Sequence, residues 1–339
     1  MLDAVPWRIV APFARRLSRI VAVLSMIGAT SAARSGAPDQ FALRYPKEAA
    51  ENVKPAASHR VLRTNGALTF RLASGNDTPD GQPNAWAYVP SRFDPASPLH
   101  VIVLFHGFKN CIASYTSRGG QACSNGGPAR TGYDLANQME RAESGAILVV
   151  PEIAFDQPLS SDPGKLGEPG GLRAFLTELL DEALAPYIGQ LRSTDIERLA
   201  LMASSGGYQA LVPALQQGGE KVTDVYMLDA CYVYKNSPVG DFLFTSPDDF
   251  DPARSHTPRR FGVVYSHGAG AFAQSERMRL YAEDWLTANG RDELGFFSTK
   301  KDEPRLDDFR APVFLIYSHL MHDVIVQRYF WRVVRASGL

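Results

Sequence analysis

The chain has no excess of charge of either sign: 35 Lys and Arg stand against 36 Asp and Glu in 339 residues, a formal net charge of −1. No basic run interrupts its body, so the electrostatic footprint of a nucleic-acid binder is missing and a small-molecule or polymer substrate is expected instead. Cysteine is scarce, with three in all. They form no Cys/His/carboxylate cluster with metal-ligand spacing, which speaks against zinc. Long apolar runs are also lacking. The mostly apolar stretch Ile20 to Ala29 falls short of the roughly 20 residues that span a bilayer, so no stable membrane anchor is expected. There is no internal repeat and no low-complexity tract.

What is present begins with an export signal over residues 1–33. Arg15, Arg16 and Arg19 form a positive segment, the apolar stretch follows, and Ser31-Ala32-Ala33 offers small residues for cleavage, so a periplasmic or secreted protein is expected. "ARRLSR" has paired arginines without the other residues of a twin-arginine signal, and the export route stays open. Residues 34–60 are polar, with Pro and Ala but no apolar period, and read as an N-terminal extension. In an oxidising compartment Cys111 and Cys123 are the natural disulfide pair. They bracket "IASYTSRGGQA", a loop too rich in Gly and Ser to hold its own shape; the alternative is two unpaired thiols. Cys231 reads as a buried small hydrophobe.

From residue 61 the pattern is that of an α/β protein. "ALTFRLA" and "AWAYVPSRF" read as two strands joined by a turn-rich segment. After them, short continuous apolar runs alternate with longer segments of helical period, which predicts a mostly parallel sheet with helices on both faces. The strands are "HVIVLFHG", "GAILVVPE", "RLALMASS", "VTDVYMLDA", "RFGVVYSH" and "APVFLIYS". The helices are "GYDLANQMERA", "GGLRAFLTELLDEALAPYI", "GGYQALVPALQQG", "AFAQSERMRLYAEDWLTANG" and "DVIVQRYFWRVVRA". Two irregular stretches, Lys109 to Arg130 and Tyr232 to Arg260, follow strand ends, where active-site walls are built.

Ala203-Ser204-Ser205-Gly206-Gly207 lies where a strand gives way to a helix. A nucleophile on such a tight elbow leaves no room for large flanking side chains, which selects Ser205; centring on Ser204 would put Met202 at a position that should be small. Taken alone, the stretch is equally a Ser/Gly turn after any parallel strand. A serine nucleophile needs a base, an orienting carboxylate and donors for an oxyanion. His106-Gly107-Phe108 turns sharply after the first buried strand, so the amide of Phe108, or of Lys109, joins that of Gly206 as an oxyanion hole. His322, just before the last helix, is chosen as base, with His319 as competitor. Asp229, at the end of "VYMLD", is the acid by position and because "RFGVVYSHGAG" carries no carboxylate. Asp241, Asp248, Asp249 and Asp251 in the following loop are substitutes, and a turn-forming role for Asp229 is its plain alternative. No cofactor is needed for this chemistry, and no metal.

On "LFHGF", "ASSGG", "LDA" and "SHLMHD" the chain resembles the α/β-hydrolase superfamily, over about residues 60–339. "AWAYVPSRFDPASPLHVIVLFHG" is similar to the opening of secreted feruloyl esterases and polyester depolymerases. The resemblance implies a single α/β-hydrolase catalytic domain over residues 61–339 and an exported serine hydrolase that cleaves a carboxylic ester through an acyl-enzyme. Members often carry the acid after the next strand, so Asp229 departs from the commonest pattern. An amidase or peptidase on the same residues, and a non-catalytic binding protein of this fold, are the competing readings. Trp86, Phe108, Tyr115, Tyr208 and Tyr232 are aromatic-pocket residues or core, and "DDFDPAR" is a calcium loop or a solvated acidic turn.

Overall fold

The structure is a computed structural model, and it describes residues 67–78, 82–124, 127–153, 161–233, 235–267, 270–299 and 303–339. All belong to the compact unit Asp39–Leu339. The expected export signal and N-terminal extension lie outside the described residues. The strands are β1 (Ala67–Phe70), β2 (Ala85–Tyr88), β3 (Leu99–Phe105), β4 (Gln121–Ala122), β5 (Ala129–Arg130), β6 (Ile147–Pro151), β7 (Ile196–Ser204), β8 (Asp224–Leu228), β9 (Arg260–Ser266), β10 (Gly295–Ser298) and β11 (Val313–Ser318). Among the described residues, nine of them hydrogen-bond into one sheet in the order β1-β2-β6-β3-β7-β8-β9-β11-β10, and β4 and β5 form a separate small hairpin.

From β6 to β10 every pairing in the large sheet is parallel, while β2 runs antiparallel to both β1 and β6. The continuous apolar runs follow from burial on both faces. Along β3, Val101, Val103 and Phe105 enter one core and Ile102 and Leu104 the other; along β7, Leu199, Leu201 and Ala203 alternate with Ala200 and Met202 in the same way.

Helices cover each face. Gly171–Thr177, Tyr208–Gln217 and Phe272–Ala288 bury Phe175, Leu211 and Met278 in the first core. Leu135–Ala142 and Ile325–Ser337 bury Met139, Tyr329 and Phe330 in the second. After β3 the chain moves outward to β6, then crosses back to β7 on the other side of β3. Strand order therefore reverses beside β3 and β7, and in open α/β sheets ligands bind at the carboxyl ends of strands at such a point.

Three local differences from the sequence pattern have physical causes. The edge strand β10 is four half-buried residues, too short to carry a period. The long segment 170–188 is not one helix: its α-turns end at Thr177, a wider turn spans Glu178–Ala183, and Ala185–Ile188 resumes with Pro186, which has no amide to continue an α ladder. The segment 109–130 contains a short helix, Ile112–Thr116, and the strands β4 and β5. A Cys111–Cys123 disulfide closes that segment.

Candidate active site

The elbow is built by close backbone approach. Ser205, the first residue past β7, is held at φ 50°, a left-handed conformation costly for a residue with a β-carbon. A β-carbon on Gly207 would lie 2.4 Å from the carbonyl oxygen of Phe105 and 2.7 Å from that of His106. One on Gly107 would lie 3.0 Å from the Ser205 β-carbon. Only glycines let the turn after β3 press against the turn after β7. The two serines separate accordingly: Ser204 is still strand, buried and hydrogen-bonded to Tyr115, whereas Ser205 is half-buried at the apex.

The turn after β3 is braced from behind. Its Gly107 amide donates to the Tyr115 hydroxyl at 2.9 Å, and the fully buried His106 places Nε2 2.7 Å from Oε1 of Glu152, at the end of β6. The other Glu152 oxygen accepts from the Ile112 amide at 2.9 Å, which ties in the disulfide-closed helix. Burial pushes the Tyr115 phenol up to about 12, so it stays protonated. The Phe108 amide nitrogen faces the elbow, 3.1 Å from where a β-carbon on Gly206 would sit.

Asp229 follows β8, fully buried and itself left-handed at φ 51°. Its Oδ1 accepts from the Ser266 amide at 2.9 Å; its Oδ2 accepts from the Ser266 hydroxyl and lies 2.8 Å from Nδ1 of His322. Ser266 ends β9, the strand after which the commonest family pattern places its acid. Here Ser266 supplies two donors to Asp229, which follows the preceding strand. The bond to Asp229 raises the His322 pKa above its ordinary value, against the opposing effect of partial burial. His322 opens the turn His322–Val324 after β11, while His319 lies exposed beside the strand end.

Other expected residues are placed elsewhere. Asp248 and Asp251 both bond Arg254 and Arg291, and Asp249 pairs with Arg259, so the "DDFDPAR" segment is an ion-pair cluster rather than a calcium loop. Asp241 sits in the first turn of the helix Pro238–Leu243. Trp86 and Tyr115 are core, not pocket wall: Trp86 stacks on Tyr88 within the sheet. Tyr208 and Tyr232 stack on each other at 5.0 Å, and the Tyr232 phenol shares a hydrogen bond with Ser205. Burial first, then the charge of Asp229, raises the Tyr232 pKa and keeps it protonated. Phe108 is exposed. Cys231 is a buried free thiol whose pKa burial pushes up to about 12, leaving it inert. Among the described residues no group of three His, Cys, Asp or Glu could hold a metal ion.

Sequence reasoning passed over Glu152, Tyr115 and Ser266 as site-building residues. Glu152 left one signal, a carboxylate one proline beyond the all-apolar run "AILVV".

A family model described as "Putative esterase" matches residues 77–267, more than half of the chain and the span from the first hairpin through β9. The chain belongs to this esterase family. It is a carboxylic ester hydrolase of α/β-hydrolase type. No curated protein matches it. Among solved structures, the feruloyl esterase module from Clostridium thermocellum, complexed with sinapinate, is 12% identical with a TM-score of 0.45, covering 84% of this chain and 92% of that one. The ferulic acid esterase from Anaeromyces mucronatus is 13% identical with a TM-score of 0.38, covering 79% and 88%. An S-formylglutathione hydrolase from Agrobacterium tumefaciens is 14% identical with a TM-score of 0.39, covering 80% and 94%. Among the described residues no helix is long and apolar enough to cross a membrane.

Proposed function

We propose that this esterase works through an acyl-enzyme on Ser205, with His322 as base and Asp229 as orienting acid. The observation that carries the reading is a buried carboxylate fixing Nδ1 of His322, next to the strand whose end holds a serine in left-handed strain. With Nδ1 engaged, Nε2 is the nitrogen left to take the hydroxyl proton. Rotation of the Ser205 side chain away from Tyr232 delivers that proton as Oγ attacks the ester carbonyl. The amides of Phe108 and Gly206 receive the oxyanion, and His322 returns the proton to the departing alcohol. Water, deprotonated by the same imidazole, then releases the acid and regenerates the enzyme.

Asp229 accepts three hydrogen bonds, which fix the carboxylate against the ring as the imidazolium forms. Esterase membership favours this reading over amide cleavage and over a fold without turnover. Replacement of Ser205 by Ala should lower p-nitrophenyl acetate hydrolysis by at least about 10³-fold with the fold intact. Near-wild-type turnover would sink the assignment.

We also propose that the protein is exported after cleavage behind Ala33, which the Cys111–Cys123 disulfide supports, since such bonds persist in oxidising compartments. N-terminal sequencing of protein recovered outside the cytoplasm should begin near Arg34; a retained Met1 would contradict cleavage.

A further inference from the structure

Ser161 is 1% exposed, and its hydroxyl has no hydrogen-bond partner among the described residues. A buried hydroxyl without a partner weakens a fold, and native proteins keep few of them, so this one calls for a reason. Its position supplies one. The Ser161 Oγ lies 2.5 Å from the point that a β-carbon on Gly206 would occupy, and the Phe108 amide nitrogen lies 3.1 Å from the same point. The unused hydroxyl and the Phe108 amide, one of the two proposed for the oxyanion, thus both press against the same side of Gly206, an approach that a side chain at residue 206 would block.

The turn that carries Ser161 is anchored just beyond it. Asn76 donates to the carbonyls of Pro163 at 3.0 Å and Glu152 at 2.9 Å, and accepts from the Lys165 amide at 2.8 Å. Through Asn76 the turn carrying Ser161 is anchored to the end of β6, the strand end that also braces the oxyanion turn through Glu152 and His106.

We propose that Ser161 is a catalytic residue: its hydroxyl donates a third hydrogen bond to the tetrahedral oxyanion. This rests on Ser205 being the nucleophile. A donor without an acceptor in the resting enzyme gains one only when charge develops on the carbonyl oxygen, and an interaction made in the transition state alone raises kcat rather than lowering KM.

The test measures kcat, KM and unfolding temperature for Ser161→Ala and Ser161→Cys beside Ser205→Ala, with p-nitrophenyl acetate. Ser161→Ala should lose about 100-fold in kcat, the usual effect of removing one oxyanion donor, with KM within about threefold. Its unfolding temperature should stay level or rise, because an unpartnered buried group has been removed. Ser161→Cys, a weak donor, should fall between Ala and wild type. A folded Ser161→Ala enzyme with kcat within about threefold of wild type overturns the proposal. So does an unfolding temperature that drops with kcat, or failure of Ser161→Ala to fold, since either makes the hydroxyl structural. A Ser205→Ala enzyme that keeps its rate overturns the nucleophile itself, and is told apart by that variant alone.

Discussion

Replacing Asp229 by Asn removes one charge from the site and almost nothing else. The carboxylate is fully buried and accepts from the Ser266 amide, the Ser266 hydroxyl and His322. Asn fits the left-handed backbone at this position, being among the residues that tolerate it best. Its single carbonyl oxygen can still meet donors on one side, but its amide group confronts a donor on the other. One mismatched buried group costs about 1–3 kcal/mol, less than the roughly 5–15 kcal/mol that holds a typical domain together, so the variant should fold.

Activity should fall much further, by about 10⁴-fold in kcat, because the ring loses the partner that selects its tautomer and stabilises the imidazolium. The pH profile gives an independent reading. In the wild type the His322 pKa is raised, chiefly by its bond to Asp229, so kcat/KM should climb with pH through a value above the ordinary histidine range as the ring becomes neutral. With the Asp229 charge gone, burial, which lowers the pKa, is opposed only by the smaller pull of the Asp323 charge, so residual activity should rise through a lower pH than in the wild type. Stability carries the matching sign. Because the folded pKa is raised, the pair's contribution is fully present below the unfolded histidine value and is lost as pH rises through the folded one. The Asp229→Asn variant should lack that slope. Steady-state kinetics across about pH 5 to 9, with urea unfolding at both ends, measures all three. A variant with kcat within about tenfold of wild type and an unmoved pH limb would refute the role given to Asp229.

Gly207→Ala sets two effects against each other. Alanine restricts the unfolded chain and should favour folding by up to about 1 kcal/mol, but its β-carbon would sit 2.4 Å and 2.7 Å from two backbone carbonyl oxygens of the turn after β3. Backbone on a central strand yields little, so an overpacking cost of about 1–3 kcal/mol or more should win, and urea unfolding should show net destabilisation along with reduced turnover. A Gly207→Ala enzyme as stable and active as wild type would contradict the close approach. The disulfide closes a separation of 12 residues, for which chain entropy gives about 3 kcal/mol. A Cys111→Ser, Cys123→Ser double variant should lose most of that in urea unfolding; a loss below about 0.5 kcal/mol would show the loop holds itself.

The layered fold is legible in the sequence because parallel strands buried on both faces read as unbroken apolar runs, while the helices between them keep their period. β10 is not legible, being four half-buried residues on an edge. The elbow shows locally through its small residues, and Asp229 is singled out by its strand-end position. What surrounds them does not show. Ser266 reaches Asp229 because β8 and β9 pair with Leu228 opposite Val264, a register that no local pattern encodes. His106 and Glu152 meet 46 residues apart, and the environment of Ser161 depends on a glycine much later in the chain, Gly206. Such contacts are products of topology, so residue type and spacing alone cannot reveal them.

In the proposed mechanism Ser205 carries the acyl group. Treating the purified full chain with a fluorophosphonate and mapping the adduct by peptide mass spectrometry tests it most directly. One adduct is expected, on Ser205, blocked by prior replacement of His322 with Ala and absent from Ser204. An adduct on any other serine, or hydrolysis that continues after stoichiometric labelling, would contradict it.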